Sequence, residues 1–358
     1  MTDLLYSEVE NDLRGSVRDL LAQRSPVERV LARVESGEAY DQSLWRTLAG
    51  EMGLAGMAVP ERFGGGGASL RESAVVLEEL GRCVAPVPFL SSAVVATTAL
   101  LTAGAADPLT KLAAGETIAV LAVPFVTGPG SPLPAVTADG DRLTGRVAGV
   151  ADGAAADLLL VPAGDGLYLV DATAEGVTRT GVVSLDLTRP LVDIRLDGVV
   201  GQRIAEGGAA VRAGLTAGAA LLASEQLGLA EWCLETTVAY VKVRHQFGRP
   251  VGSFQALKHR LADVWVDLTQ ARAVARYAAV CAAEADPDLP VAASVAQAFC
   301  SPMAVKAAEE CVQLHGGIGF TWEHPAHLFL KRAKADAAGY GSADRHRQAL
   351  AGLVNLPL

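Results

Sequence analysis

Cysteine is scarce in this sequence, and its five copies (Cys83, Cys233, Cys281, Cys300 and Cys311) include no C-x-x-C pair. Thiol redox motifs and zinc sites use that spacing, so neither is expected and no metal site is assigned. Most of the five fall in apolar helical stretches, which predicts buried free thiols and a reducing, cytoplasmic location. A basic excess is also missing: 30 Lys and Arg against 40 Asp and Glu give a net charge of -10. The acids are dispersed, so neither a nucleic-acid footprint nor a disordered acidic tail is expected, and anionic membranes are disfavoured as partners. No stretch of about 18 apolar residues runs without polar or glycine interruption, so no membrane span is expected. The opening MTDLLYSEVENDLRG lacks the basic-then-apolar order of a signal peptide.

What the chain does have is aliphatic bulk, with 51% hydrophobic residues over 358 positions. A single core stops growing near roughly 250–300 residues, so two or three units are expected. Residues 1–115 read as a helical domain, with Leu4, Val9, Leu13, Val17, Leu20 and Leu21 at helical spacing. A second helix is expected near Ser43–Glu51, then a loop ending in Gly64–Gly67, then a helix with Ser69 and Glu72 in capping-box positions. No Lys-Ser/Thr or strand context surrounds the four glycines, so a turn is preferred over a phosphate loop. Residues 116–204 hold short Val/Leu-rich runs split by Gly, Asp and Pro, the pattern of a small antiparallel β-domain. Residues 205–358 return to helix: a long Ala-rich run, then Phe254–Glu284, Val291–His315, Pro325–Ala338 and a short last helix. The fold class is mostly α with a small β-domain, ending in a four-helix bundle.

Two stretches of that last segment carry chemistry. In VRHQFGRPVGSFQALKH, Arg244 and Phe247 stand where a helix yields to a turn, and Gln255 opens the next helix. A guanidinium forks onto phosphate, a phenyl ring offers a flat apolar face, and an amide donates and accepts. The set suits a dinucleotide; a helix-capping Arg beside a core Phe fits the spacing as well. In CVQLHGGIGF, Gln313 ends a helix and Gly316, Gly317 and Gly319 follow. These glycines either let backbone approach a ligand or simply end the helix in a tight turn.

Taken together, with MGLAGMAVPERFGGGG near the N-terminus, these stretches resemble the acyl-CoA dehydrogenase family. The order of helical, β and helical segments matches that family's three domains, so the resemblance covers essentially the whole chain. It implies FAD as cofactor, an acyl-CoA as substrate and an electron-transfer flavoprotein as acceptor. It also implies that Arg244, Gln246, Phe247, Gln255, Gln313, Gly316 and Gly317 bind FAD, the first segment reaching across a dimer interface to the neighbouring subunit's cofactor.

The resemblance fails at the chemistry itself. The family's reaction takes an α-proton with a carboxylate base and passes the β-hydride to flavin N5. The base is a Glu at one of two places. Counting from Glu323-His324-Pro325, the first place is Tyr340, in Gly339-Tyr340-Gly341-Ser342; the second, nine residues before Leu227, is Gly218. Neither is a carboxylate, so the catalytic residue is unknown. Glu225, Asp336 and Asp344 are substitutes by proximity in sequence. The flavin-facing strands of the family correspond here to Val123–Ser131 and Ala148–Ala151, which keep little of its pattern. Three readings follow: the base-lacking subunit of a heteromeric (heterotetrameric) acyl-CoA dehydrogenase of the sterol side-chain type; a self-sufficient homo-oligomer with an unusual base; or a non-catalytic acyl-CoA-binding homologue. A subunit interface is expected through Leu222, Leu227, Leu229, Trp232 and Leu234 on the long helix.

Overall fold

A computed structural model describes residues 4–38, 40–206 and 208–355; the two ends of the chain assigned above to its first and last domains, 1–3 and 356–358, lie outside the described residues. The helical start comprises α1 (Glu8–Arg24), α2 (Val27–Ser36), α3 (Gln42–Arg46), α4 (Leu70–Arg82), α5 (Thr97–Ala103) and α6 (Ala106–Ala113). The expected capping box closes α4: the Glu72 carboxylate accepts from the Ser69 N–H at 2.9 Å, and the Ser69 hydroxyl accepts from the Arg71 N–H at 3.1 Å. Gly64–Gly67 form a turn that needs glycine for packing. A Cβ on Gly65 would lie 2.1 Å from the Val59 carbonyl oxygen, and Gly64 has φ +80°.

Eight strands follow: β1 (Ala119–Leu121), β2 (Thr137–Asp139), β3 (Arg142–Ala151), β4 (Leu158–Ala163), β5 (Gly166–Asp171), β6 (Val177–Val182), β7 (Leu191–Val200) and β8 (Gln202–Glu206). They form two four-stranded sheets, ordered β1-β4-β5-β8 and β2-β3-β7-β6. Pairing is antiparallel as expected except for β1 with β4, which run parallel from Ala119↔Leu158. The chain leaves β1 for the other sheet and returns to β4 by a crossover, which a hairpin cannot provide, so the two point the same way.

The C-terminal segment holds α7 (Ala209–Val243), a two-stranded hairpin of β9 (His245–Gln246) and β10 (Arg249–Pro250), α8 (Gln255–Ala283), α9 (Leu289–His315), α10 (Ala326–Asp336) and α11 (Ala343–Leu353). Helix α7 is the axis, packed on α4, α5, α8 and α9. It meets α4 through glycines: a Cβ on Gly228 would lie 1.8 Å from the Glu78 carbonyl oxygen, and one on Gly81 would lie 2.1 Å from that of Glu225. Leu222, Leu227 and Leu229 are 0% exposed inside this packing, which corrects their placement at a subunit interface. A helix that is apolar all round is buried within its own domain. Exposed apolar side chains lie elsewhere, among them Trp265 and Val266 on α8, Phe247 on the hairpin, and Phe320 and Trp322 after α9. Among the described residues one stretch, Leu289–Phe320, is long and apolar enough by length and composition to cross a membrane, and 61% of its most apolar window is buried inside the protein. It is the bundle helix that packs on α7, α8 and α11.

Candidate functional site

Arg244 ends α7 and starts the hairpin in an extended conformation. Phe247 and Gly248 form its two-residue turn, with φ +55° and +75°. Two consecutive positive φ values are the signature of a turn that matches strand twist, and glycine or asparagine normally fills such positions. A phenylalanine there is strained, and its ring is 89% exposed, so it is no core residue. The ring meets Phe254 edge-on with centroids 6.1 Å apart, and the Arg249 guanidinium stacks 4.0 Å over Phe254. Arg244, Gln246 and Gln255 are exposed, and no ion pair holds Arg244 among the described residues. Gln313 is exposed in the last turn of α9, with Gly316 at φ 66°, ψ -140° after it, a conformation open to glycine. A Cβ on Gly316 or Gly317 would meet nothing within 4 Å, so their backbone faces open space.

The two stretches meet at one end of the bundle. Tyr240, one turn before Arg244, stacks on His315 at 4.4 Å, and His315 packs on His324 at 4.0 Å. The Cys311 carbonyl oxygen lies 2.7 Å from His315 Nδ1. The Cys233 thiol beside it, and His315 in turn, bring the Cys311 thiol down to about 5 against the effect of burial.

The two family positions for the base also come together, far from that end. A Cβ on Gly218 would lie 3.1 Å from the Tyr340 ring. Tyr340 has φ +50°; its N–H donates to the Phe125 carbonyl at 2.8 Å, and its own carbonyl is 3.0 Å from His346 Nε2. Phe125 packs edge-on against the ring at 5.4 Å. The phenol is 4% exposed, and burial pushes its pKa far above the ordinary tyrosine value, so it is no proton acceptor near neutral pH. The space between Tyr340, Ser91, Val95 and Phe125 is about 10 Å³. That volume is at the lower limit for one water.

None of the substitute carboxylates is free to act. Glu225 is buried between Arg189 at 2.6 Å and Arg332 at 2.8 Å. Burial opposes its charge, but the two guanidiniums hold it down at about 2. Asp336 takes the other arm of Arg189 at 2.6 Å, and burial together with Glu225 drives its pKa up. Asp344 is exposed and paired with Arg347.

Gly218 and Arg244 are 26 residues apart on and just beyond α7, which at 1.5 Å per residue separates them by about 39 Å along the helix. The exposed end and the closed pocket therefore lie well apart along the bundle. The closed pocket, lined by Ser91, Val95, Phe125, Ala151 and Tyr340, has no room for a flavin ring. Where a cofactor's phosphates and base would need free donors and a flat apolar face, Arg244, Gln246, Phe247 and Gln255 offer them, and that end fits.

A helical domain, a two-sheet β-domain and a helical bundle define an acyl-CoA dehydrogenase fold. The acyl-CoA dehydrogenase N-terminal and C-terminal domain families match residues 7–115 and 205–353. The chain belongs to the acyl-CoA dehydrogenase family, whose cofactor is FAD. It is 37% identical over 331 residues to the acyl-CoA dehydrogenase IpdE2 of Mycolicibacterium smegmatis, covering 92% of this chain and 94% of that one. A solved structure described as the Tcur3481-Tcur3483 steroid ACAD G363A variant is 35% identical, with TM-score 0.87 over 97% of this chain and 98% of that chain. The ChsE4-ChsE5 complex of Mycobacterium tuberculosis is 28% identical, with TM-score 0.90 over the full length of both chains.

Proposed function

We propose that this chain is the base-lacking subunit of a heteromeric acyl-CoA dehydrogenase that oxidises a steroid-derived acyl-CoA. One observation carries the reading. Both family positions for the base, Gly218 and Tyr340, pack against each other without a carboxylate, while a free dinucleotide grip stands about 39 Å away along the helix. The relatives support it, since two of the similar structures are named as pairs of different chains.

In this reading FAD supplies hydride acceptance at its ring, held by the partner subunit. This chain's residues bind and orient. Arg244 would hold the cofactor's phosphates, Phe247 would offer it a flat apolar face, Gln246, Gln255 and Gln313 would supply hydrogen-bonding amides, and Gly316–Gly317 would let backbone N–H groups approach. The partner supplies the base, and an electron-transfer flavoprotein takes the electrons. The five unpaired cysteines favour the cytoplasm. The test is to purify the chain alone and with a candidate partner, then measure flavin content and ferricenium-coupled oxidation of a steroid acyl-CoA. Activity of the pair and none of the single chain is expected; activity of the single chain overturns the reading.

Two consequences arise here. Tyr340→Phe leaves turnover of the pair unchanged, because general-base catalysis is worth about 10²–10⁴ in rate and a buried phenol contributes none of it. A fall within that range makes Tyr340 the base. Assembly runs through the uncovered face of α8. Trp265→Asp places a charge in an apolar contact, and light scattering then shows the smaller species where the unaltered chain is dimeric or larger.

A further inference from the structure

Five rings follow one another from the end of α7 into the bundle core. Tyr240 stacks on His315 with centroids 4.4 Å apart and planes 28° apart. His315 packs on His324 at 4.0 Å, and His324 meets Trp232 at 6.4 Å. Trp232 lies flat on Phe329 at 3.5 Å and 2°, and Phe329 is 0% exposed. Tyr240 and Trp232 belong to α7, His315 to α9 and Phe329 to α10, so the column ties three helices together.

His315 stands where the two ligand-facing stretches join. It is only 3% exposed, so it is a support and not a ligand contact. It is the last residue of α9, two after Gln313 and directly before Gly316 and Gly317. The turn that follows closes back on it: a Cβ on Gly319 would lie 2.5 Å from the Val312 carbonyl oxygen and 3.1 Å from His315 Cβ. On the other side, Tyr240 serves both stretches. Its ring bears on His315, and its carbonyl accepts from the Arg244 N–H at 2.9 Å. That bond caps α7 and sets where Arg244 leaves the helix. The Cys311 carbonyl lies 2.7 Å from His315 Nδ1 and can only accept, so Nδ1 carries a proton and the ring's orientation is fixed. Burial, and then His315 and His327, hold His324 down at about 4. His324 is therefore a neutral ring near neutral pH, and the stack holds no pair of repelling imidazoliums.

We propose that His315 is a positioning residue: its ring, wedged between Tyr240 and His324, holds the Gln313–Gly317 turn in register with Arg244 so that both stretches meet one cofactor molecule. This rests on the reading of that end as a grip for FAD. The gain is preorganisation. Side chains that must be ordered as a ligand binds weaken its affinity, and a ring column anchored on Phe329 orders them beforehand.

The test is isothermal titration of FAD into the flavin-free assembled pair. His315→Ala is expected to weaken FAD binding about tenfold, because Arg244 and Gln313 are then ordered only on binding. His315→Phe keeps the ring and loses the Nδ1 hydrogen bond, and should stay within about threefold of the unaltered pair. A double-mutant cycle separates positioning from plain support of the fold. If His315 acts through Arg244, then in the Arg244→Ala background His315→Ala should cost under about threefold. Additive costs overturn the proposal, and so does His315→Phe binding FAD as weakly as His315→Ala. Melting temperatures of the flavin-free pairs report folding. Should His315→Ala fail to fold, Tyr240→Leu takes its place in the cycle, with the same expected loss. Weaker FAD binding in Arg244→Ala but not in His315→Ala overturns the positioning role and leaves the grip standing. Unchanged FAD binding in Arg244→Ala overturns both.

Discussion

Arg332→Ala lowers the unfolding free energy by about 3–5 kcal/mol, the cost of removing one partner from a buried ion pair. Arg332 donates to Glu225 at 2.8 Å and to the Thr188 hydroxyl at 2.6 Å, and it pairs with Asp186 at 3.2 Å. These groups come from α7, α10 and the loop between β6 and β7, so the cluster fastens the β-domain to the bundle. Without Arg332, Glu225 keeps only Arg189, and Asp186 is left buried with no cation. Urea unfolding checks the magnitude; a loss under 1 kcal/mol would show that water or Arg189 takes over. The same cluster sets an acid limit. The Glu225 pKa is depressed in the folded state, from 4.5 to about 2. Its contribution is therefore complete above pH 4.5 and is lost as pH falls toward 2. Glu225→Gln should flatten that part of the stability curve.

This cluster marks where sequence stops informing. Arg189, Glu225 and Arg332 stand in three separate elements, and nothing local in the sequence joins them. What was legible is contiguous: the capping box at Ser69 and Glu72, and the change from helical period to short β-runs near residue 116. The missing carboxylates at Gly218 and Tyr340 could be counted along the chain. That they touch could not, because a helix and a distant turn have no common register. The interface reading of Leu222, Leu227 and Leu229 failed because apolarity on every side of a helix reports burial, not which surface a partner covers. The exposure of Phe247 was equally invisible: the same letters serve a core ring or a presented one, and only the positive φ of the turn decides.

That exposed turn yields the prediction with the largest functional effect. In the assembled pair, Arg244→Ala weakens FAD retention at least about tenfold. A guanidinium on a pyrophosphate makes charge-assisted hydrogen bonds worth roughly 1.5–3 kcal/mol, and 1.4 kcal/mol is tenfold in affinity. Arg244 is exposed and no ion pair occupies it among the described residues, so its removal breaks no ion pair inside the subunit. Melting temperature should stay constant while the flavin absorbance per complex falls after gel filtration. Arg244→Lys should rescue poorly, because an ammonium cannot make the planar two-bond contact. Phe247→Gly separates the ring from the backbone: it relieves the positive φ at the turn and removes the stacking face. The folded subunit gains stability from the first effect, while the complex loses FAD through the second. Opposite signs for stability and flavin content would identify Phe247 as a residue held in strain for its ligand. Unchanged flavin content in both Arg244→Ala and Phe247→Gly would remove this end of the bundle from the cofactor site, and the division of labour between the two subunits would have to be abandoned.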